Sequence, residues 1–190
     1  MTGSPTSSPA DEELIAAIAA GDMRALGELY LRYGTMILRF LCRTIGDFAA
    51  AEDLCQEVFL SLPKSVARYR ELGKSRSWLF GIAANKARAY QRRKWTRERL
   101  LRAYAFLVPL QRQASSASGT SPGDSVAEAL ERLPLEQRQV LMLQVGEGMS
   151  GVEIAEALSI GHAAVRVRLH RARAALRQAV RGLDREGDEP

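Results

Sequence analysis

SGVEIAEALSIGHAAVRVRLHRAR, residues 150–173, carries two helical periods separated by a three-residue break. Val152, Ile154, Ala155 and Leu158 supply the apolar face of a short first helix. Ser150 stands at its N-cap position, with Glu153 three residues on. Ser159-Ile160-Gly161 interrupts the pattern, and Val165 and Leu169 restart it four residues apart. The second helix carries Arg166, Arg168, Arg171 and Arg173, with His170 among them. Two short helices joined by a tight turn, the second one cationic, are the layout of a helix-turn-helix whose second helix enters the major groove of DNA.

Around this segment the composition is that of a helical protein. Of 190 residues, 46% are hydrophobic and only 6% aromatic, enough for one or two modest cores. Ala, Leu and Arg are abundant, and strand-like runs of Val, Ile and Thr are almost absent. The net charge of +5 is unevenly spread: residues 1–63 carry −5, 64–112 carry +12, 113–165 carry −5 and 166–190 carry +3. Two basic blocks alternating with two acidic ones imply two contacts with a polyanion and two surfaces for something else.

The chain is expected to be all-α, two small helical domains joined by a flexible linker. Residues 1–10 are rich in Ser, Pro and Thr and read as disordered. A first helix starts at Asp11 and ends near Gly21, and Asp22 opens a longer one through about Ile45. Leu26, Leu29, Tyr30, Tyr33, Ile37 and Leu41 form its apolar stripe. After Gly46-Asp47, a third helix runs from about Ala49 to Leu62, stopped by Pro63. A loop from about Tyr69 to Arg76 leads to a basic helix from Ser77, extending toward Val108. Residues 114–125, ASSASGTSPGDS, have linker composition. Beyond it, helices over 126–133 and 135–145 complete a four-helix C-terminal domain, followed by a charged tail after about Gly182. The boundaries are thus 11–96 for the first domain, 97–125 for the linker, 126–181 for the second and 182–190 for the tail.

On the third helix, Leu54, Cys55, Val58, Phe59 and Leu62 face inward, while Asp53, Gln56 and Glu57 share the outer face. By periodicity alone this is a solvated face. A reading as paired catalytic carboxylates lacks any converging His, Lys or metal-ligand set. The basic helix is different: between Lys74 and Arg97 it contains no acid at all. Asn85, Arg88 and Arg92 follow one another along one face, Lys86 and Arg93 along another, and positive charge concentrates at Arg92, Arg93, Lys94, Arg97 and Arg99. Such a helix fits nucleic-acid binding, with affinity falling with salt at a log–log slope of about −0.9 per neutralised phosphate. Asn85 is the amide placed to contact a base edge. Cys42 and Cys55, without a CxxC, read as structural thiols, and His162 and His170 lack partner ligands. No metal or cofactor is expected, and no glycine-rich phosphate loop or nucleophile elbow is present. The polar N-terminus lacks an apolar signal core, and no apolar run approaches the roughly 20 residues of a membrane span. A cytoplasmic protein without membrane insertion is expected.

Four segments taken together, AEDLCQEVFLSL (51–62), SWLFGIAANKARAYQRRKW (77–95), ALERLPLEQRQVLML (129–143) and RLHRARAAL (168–176), resemble the bacterial extracytoplasmic-function sigma factors. These are the minimal two-domain members of the sigma-70 family, and the resemblance covers about residues 12–96 and 126–180. It implies a promoter-specificity subunit with no catalytic activity of its own. Its partners would be core RNA polymerase, promoter DNA and an anti-sigma factor that clamps the two domains. The first domain would be region 2, docking on the clamp helices of the largest polymerase subunit through Asp53, Gln56 and Glu57. It would recognise and help melt the −10 element through Leu72, Lys74, Arg76, Asn85, Arg88, Arg92 and Arg93. The second would be region 4, touching the polymerase flap. It would read the −35 element through Ala163, Arg166, Val167, Arg168, His170, Arg171 and Arg173. The family usually has Gly where this chain has Ser159, and its recognition helix often opens with Pro, Gly and Thr where this chain has Gly161, Ala163 and Ala164; a Thr hydroxyl is thereby missing, and two alanine methyls can instead meet thymine methyls. A stand-alone helix-turn-helix regulator would explain the C-terminal domain but not the basic helix. An enzyme acting on nucleic acid would need a metal cluster or activated nucleophile that the sequence lacks.

Overall fold

The computed structural model describes residues 9–69, 73–107 and 129–186, and every regular element among them is helical. Helix α1 spans Pro9–Ala19, α2 Met23–Ile45, α3 Phe48–Ser65 and α4 Ser75–Leu107. The second unit opens with a helical turn at 129–132, followed by α5 (Leu135–Leu141), a π-helical turn (Met142–Gly146), α6 (Gly151–Leu158) and α7 (His162–Glu186). The linker residues 114–125, the loop residue Leu72 and the last four residues lie outside the described ones.

Local chemistry sets most helix ends. The Asp22 carboxylate accepts the Arg24 amide at 2.8 Å and starts α2. Gly46, at φ +77°, closes that helix by donating to the Cys42 carbonyl, and Asp47 caps α3 through the Ala50 amide at 3.1 Å. Ser150 and Glu153 form the expected reciprocal capping box at the start of α6. Ser159, at φ +53° and ψ +47°, ends α6 in the left-handed region, where its amide and that of Ile160 take up the last carbonyls.

Several boundaries differ from expectation; α4 starts two residues early, at Ser75, and the last helix runs on to Glu186. Helix α1 begins at Pro9 rather than Asp11, which keeps Asp11 and Glu12 in the first turn where the dipole favours them. Helix α3 runs through Pro63 to Ser65. One missing amide close to a helix end is a small loss, and Leu62 and Val66 continue the buried stripe of Leu54, Val58 and Phe59. In the second unit the helix expected to reach Val145 changes at Met142 into the π turn, where the Glu147 amide reaches back to the Met142 carbonyl at 3.1 Å. The wider turn leaves Val145 exposed and carries Glu147 inward.

Helix α2 packs against α3, α1 and α4, burying Leu29, Tyr33, Ile37, Phe40 and Leu41. Each fully buried aliphatic or aromatic side chain of this kind contributes roughly 1.5–3 kcal/mol. Tyr30, assigned to the same stripe, is half exposed and instead lays its ring edge-on against Phe59 at 4.9 Å. The second unit is not held apart. Helix α6 lies along α4, and α5 and the π turn reach α2, so that one continuous apolar cluster runs from Ile15 in α1 to Ala172 in α7.

Candidate nucleic-acid interface

Helix α4 has 33 residues and is roughly 50 Å long. Its first half is buried through Leu79, Phe80, Ala83, Ala84 and Ala87, and the stretch from Arg92 to Leu101 is largely open to solvent. Asn85 is exposed beside this transition. Arg92, Arg93, Lys94, Arg97 and Arg99 are exposed beyond it. Arg88 is half-buried, and its pKa is lowered, first by desolvation and then by the nearby Arg168 and Arg92. Trp95, 66% exposed, stands among these cations. With Arg88, Gln91, Arg92 and Arg99 it lines a cavity of about 490 Å³ whose far wall is Leu135 and Glu136 of the second unit. Nothing in the apolar periodicity marks Trp95 as special; its separation from the core is a property of the fold, as α4 outruns the helices that cover its first half.

The recognition helix α7 shows a comparable face. Ala163, Arg166, Val167, His170, Arg171 and Arg173 are exposed, while Val165, Leu169 and Ala172 are buried beneath them. Two of its arginines are positioned from within the unit: Arg168 pairs with Glu136 at 2.6 Å, and Arg173 donates to the Gln144 side chain at 2.7 Å. Arg168 and Glu136 both lie near enough to Arg88 for their charges to act on it, in opposite directions.

On α3, Asp53, Gln56 and Glu57 all lie on the exposed side, opposite the buried Leu54, Cys55, Val58 and Phe59. Lys86 reaches across from α4 to Glu57 at 3.0 Å, so Glu57 is partly neutralised while keeping about half its surface in water. Such exposed pairs contribute about 0–1 kcal/mol.

Two residues expected at the −10 contact have partners in the second unit. Lys74 pairs with Glu156 of α6 at 2.9 Å. Arg76 is 1% exposed; it donates to the Glu147 carbonyl, lies 3.5 Å from the Glu153 carboxylate and stacks 5.8 Å above the Phe80 ring. In this arrangement no DNA can reach it.

A second network, on α1, has only the helix-start reading as its sequence signal. Asp11 is buried and accepts from Arg32, from the Tyr33 hydroxyl at 2.5 Å and from Ser75 at 3.4 Å. Burial and the Asp11 carboxylate together push the Tyr33 pKa far up. Glu12 accepts the Tyr69 hydroxyl at 2.6 Å and the Gly73 amide at 2.9 Å, tying down both sides of the segment before α4. The Cys55 thiol is pushed by burial up to about 11, and it faces the Gly34 carbonyl.

Comparison with known proteins follows the same division. Residues 29–97 match the Sigma-70 region 2 family, and residues 123–176 match the Sigma-70, region 4 family. The RNA polymerase sigma factor CarQ of Myxococcus xanthus is 34% identical over 87% of this chain and 95% of its own length. The ECF RNA polymerase sigma factor SigD of Mycobacterium tuberculosis is 34% identical over 89% of this chain and 84% of its own. The solved structure of CnrH in complex with the cytosolic domain of CnrY superposes with a TM-score of 0.64 at 29% identity, covering 95% of this chain and 99% of that one. Among the described residues no helix is long and apolar enough to cross a membrane.

Proposed function

We propose, for a chain that belongs to the extracytoplasmic-function sigma factors of the sigma-70 family and directs RNA polymerase to promoters, a two-point reading of the promoter through α4 and α7. The observation that carries it is the pair of separate, exposed cationic faces, one on α4 from Asn85 to Arg99 and one on α7 from Arg166 to Arg173. The α4 face takes the −10 element and helps open it. Asn85 meets a base edge, and Arg88, Arg92 and Arg93 meet phosphates. The α7 face takes the −35 element in the major groove, with Arg166, Val167 and His170 toward the bases and Ala163 able to meet a thymine methyl.

The acidic side of α3, with Asp53, Gln56 and Glu57, docks on the clamp helices of the polymerase largest subunit, and the second unit touches the flap. The chain contributes no catalysis; it positions the polymerase, which does the chemistry, and it acts in the cytoplasm where polymerase and DNA are. An anti-sigma factor is the expected regulator, as CnrH is bound by the cytosolic domain of CnrY in the solved complex.

Transcription in vitro with purified core polymerase and a broad promoter library tests the reading. Promoter-specific initiation should require this chain. Equal initiation with and without it overturns the proposal. Tight sequence-specific binding of the free chain to duplex DNA would instead favour a stand-alone regulator.

A further inference from the structure

The cavity between α4 and α5 has the parts of a small-molecule site, and contacts on either side of it hold its walls in place. Gly81 of α4 lies against the main chain of α6, so closely that a Cβ there would stand 2.6 Å from the Ala157 carbonyl oxygen. Further along α4, the Ala84 carbonyl accepts the buried Gln139 side-chain amide of α5 at 2.9 Å. Leu135 lies one turn before Gln139 on α5 and Arg88 one turn after Ala84 on α4, so both walls of the cavity start from this bond. The far wall is steadied again by the Arg168–Glu136 pair at 2.6 Å. A volume of about 490 Å³ is that of a small-molecule pocket.

The lining is unbalanced in charge. Arg88, Arg92, Trp95 and Arg99 recur at intervals of four, three and four, which sets them in one row along α4. Arg92 and Arg99 have no ion-pair partner among the described residues. The one acid of the lining, Glu136, is already engaged by Arg168. Arg88 is desolvated there, which lowers its pKa, and Arg168 and Arg92 lower it further against the pull of Glu136. The row therefore offers guanidinium forks short of negative charge, the geometry that takes phosphate oxygens in pairs. Trp95 adds an exposed indole to the row, and Leu135 supplies aliphatic surface on the facing wall. Gln91 brings an amide that both donates and accepts, as the edge of a nucleobase requires. The other flank of α4, with Lys86, Arg93 and Arg97, borders a separate cavity.

We propose that the cavity between α4 and α5 binds a free nucleoside polyphosphate, its base between Trp95 and Leu135 and its phosphates on Arg88, Arg92 and Arg99. This goes beyond promoter reading, since the ligand is a mononucleotide and touches both units at once. Its contacts exist only while α5 lies against α4, so it stabilises that arrangement according to its concentration.

Titration calorimetry and indole fluorescence on the full chain test this, with ATP, GTP, inorganic triphosphate and a single-stranded oligonucleotide as probes. ATP or GTP should bind roughly tenfold or more tightly than triphosphate and quench the indole emission. Trp95→Ala should weaken nucleotide binding roughly tenfold or more and leave triphosphate binding unchanged. Leu135→Ala, at the half-buried first position of a helix where alanine is a good former, should weaken nucleotide binding roughly fivefold or more. It should leave oligonucleotide binding as it was, because a strand follows α4 and does not need the α5 wall. Nucleotide binding no tighter than that of triphosphate overturns the proposal. So does nucleotide affinity that survives Leu135→Ala, and both outcomes leave the promoter reading intact. Equal loss of nucleotide and oligonucleotide in Leu135→Ala shows one shared surface and overturns the separate site.

Discussion

Ser159 shows how one residue can hold a motif at a cost. It sits at φ +53°, the conformation that glycine adopts freely, and its side chain is exposed. Ser159→Gly should therefore stabilise the chain by about 0.5–1 kcal/mol, the left-handed strain less the extra entropy of glycine in the unfolded state. Urea unfolding would show this as a higher midpoint with an unchanged slope. Asn85 bears on specificity. It is exposed on the α4 face before the arginine cluster, so Asn85→Ala should change the ranking of −10 sequences in a promoter library more than the total affinity. An unaltered ranking would remove it from base contact. Trp95 bears on affinity. Stacking of a base on an exposed indole is worth about 1–3 kcal/mol, so Trp95→Ala should weaken single-stranded binding by about that amount. The wild-type indole emission should be quenched by the oligonucleotide. Trp78, packed on Tyr69 at 4.9 Å, supplies the unquenched remainder.

Among the elements, α3 and α4 divide the labour by charge. Asp53→Arg combined with Glu57→Arg reverses the outer face of α3 without touching its buried side, so core-polymerase affinity should collapse while circular dichroism stays that of the wild type. The lost Lys86 pair is exposed and costs under about 1 kcal/mol. An unchanged affinity for core would sink the docking assignment. The helix ends at Asp22, Gly46, Asp47 and Ser150 were legible because each cap is made within a few residues by a group whose chemistry is visible in the chain. The exposed faces of α3, α4 and α7 were legible for the same reason, through their periodicity. Pro63 was misread because a local rule about breakers yielded to Leu62 and Val66, which have core to fill on both sides of it. The π turn and the burial of Arg76 were not legible. Glu147 of the π turn meets Arg39, 108 residues away, with its carboxylate, and Arg76, 71 residues away, with its carbonyl, and no window on the chain contains such pairs.

For the whole molecule, the continuous cluster from Ile15 to Ala172 means that the two units share a core while closed. Calorimetry of the wild-type chain should show one cooperative transition. Gly81→Ala should resolve it into two, since each unit would then lose only its own contacts. A single unshifted peak in both would indicate that the units do not support one another. Salt that weakens DNA binding also weakens the partly exposed Arg39–Glu147 and Lys74–Glu156 pairs that join the two units.

The close approach at Gly81 also constrains the genetics of this protein. Its neighbour is a main-chain oxygen, and every residue type at position 157 carries the same oxygen. A larger residue at 81 therefore has no direct compensating substitution opposite it. Suppressors of a Gly81 defect would arise at a distance, wherever α6 as a body can be shifted, and paired variation between 81 and 157 would leave no trace of a contact this tight.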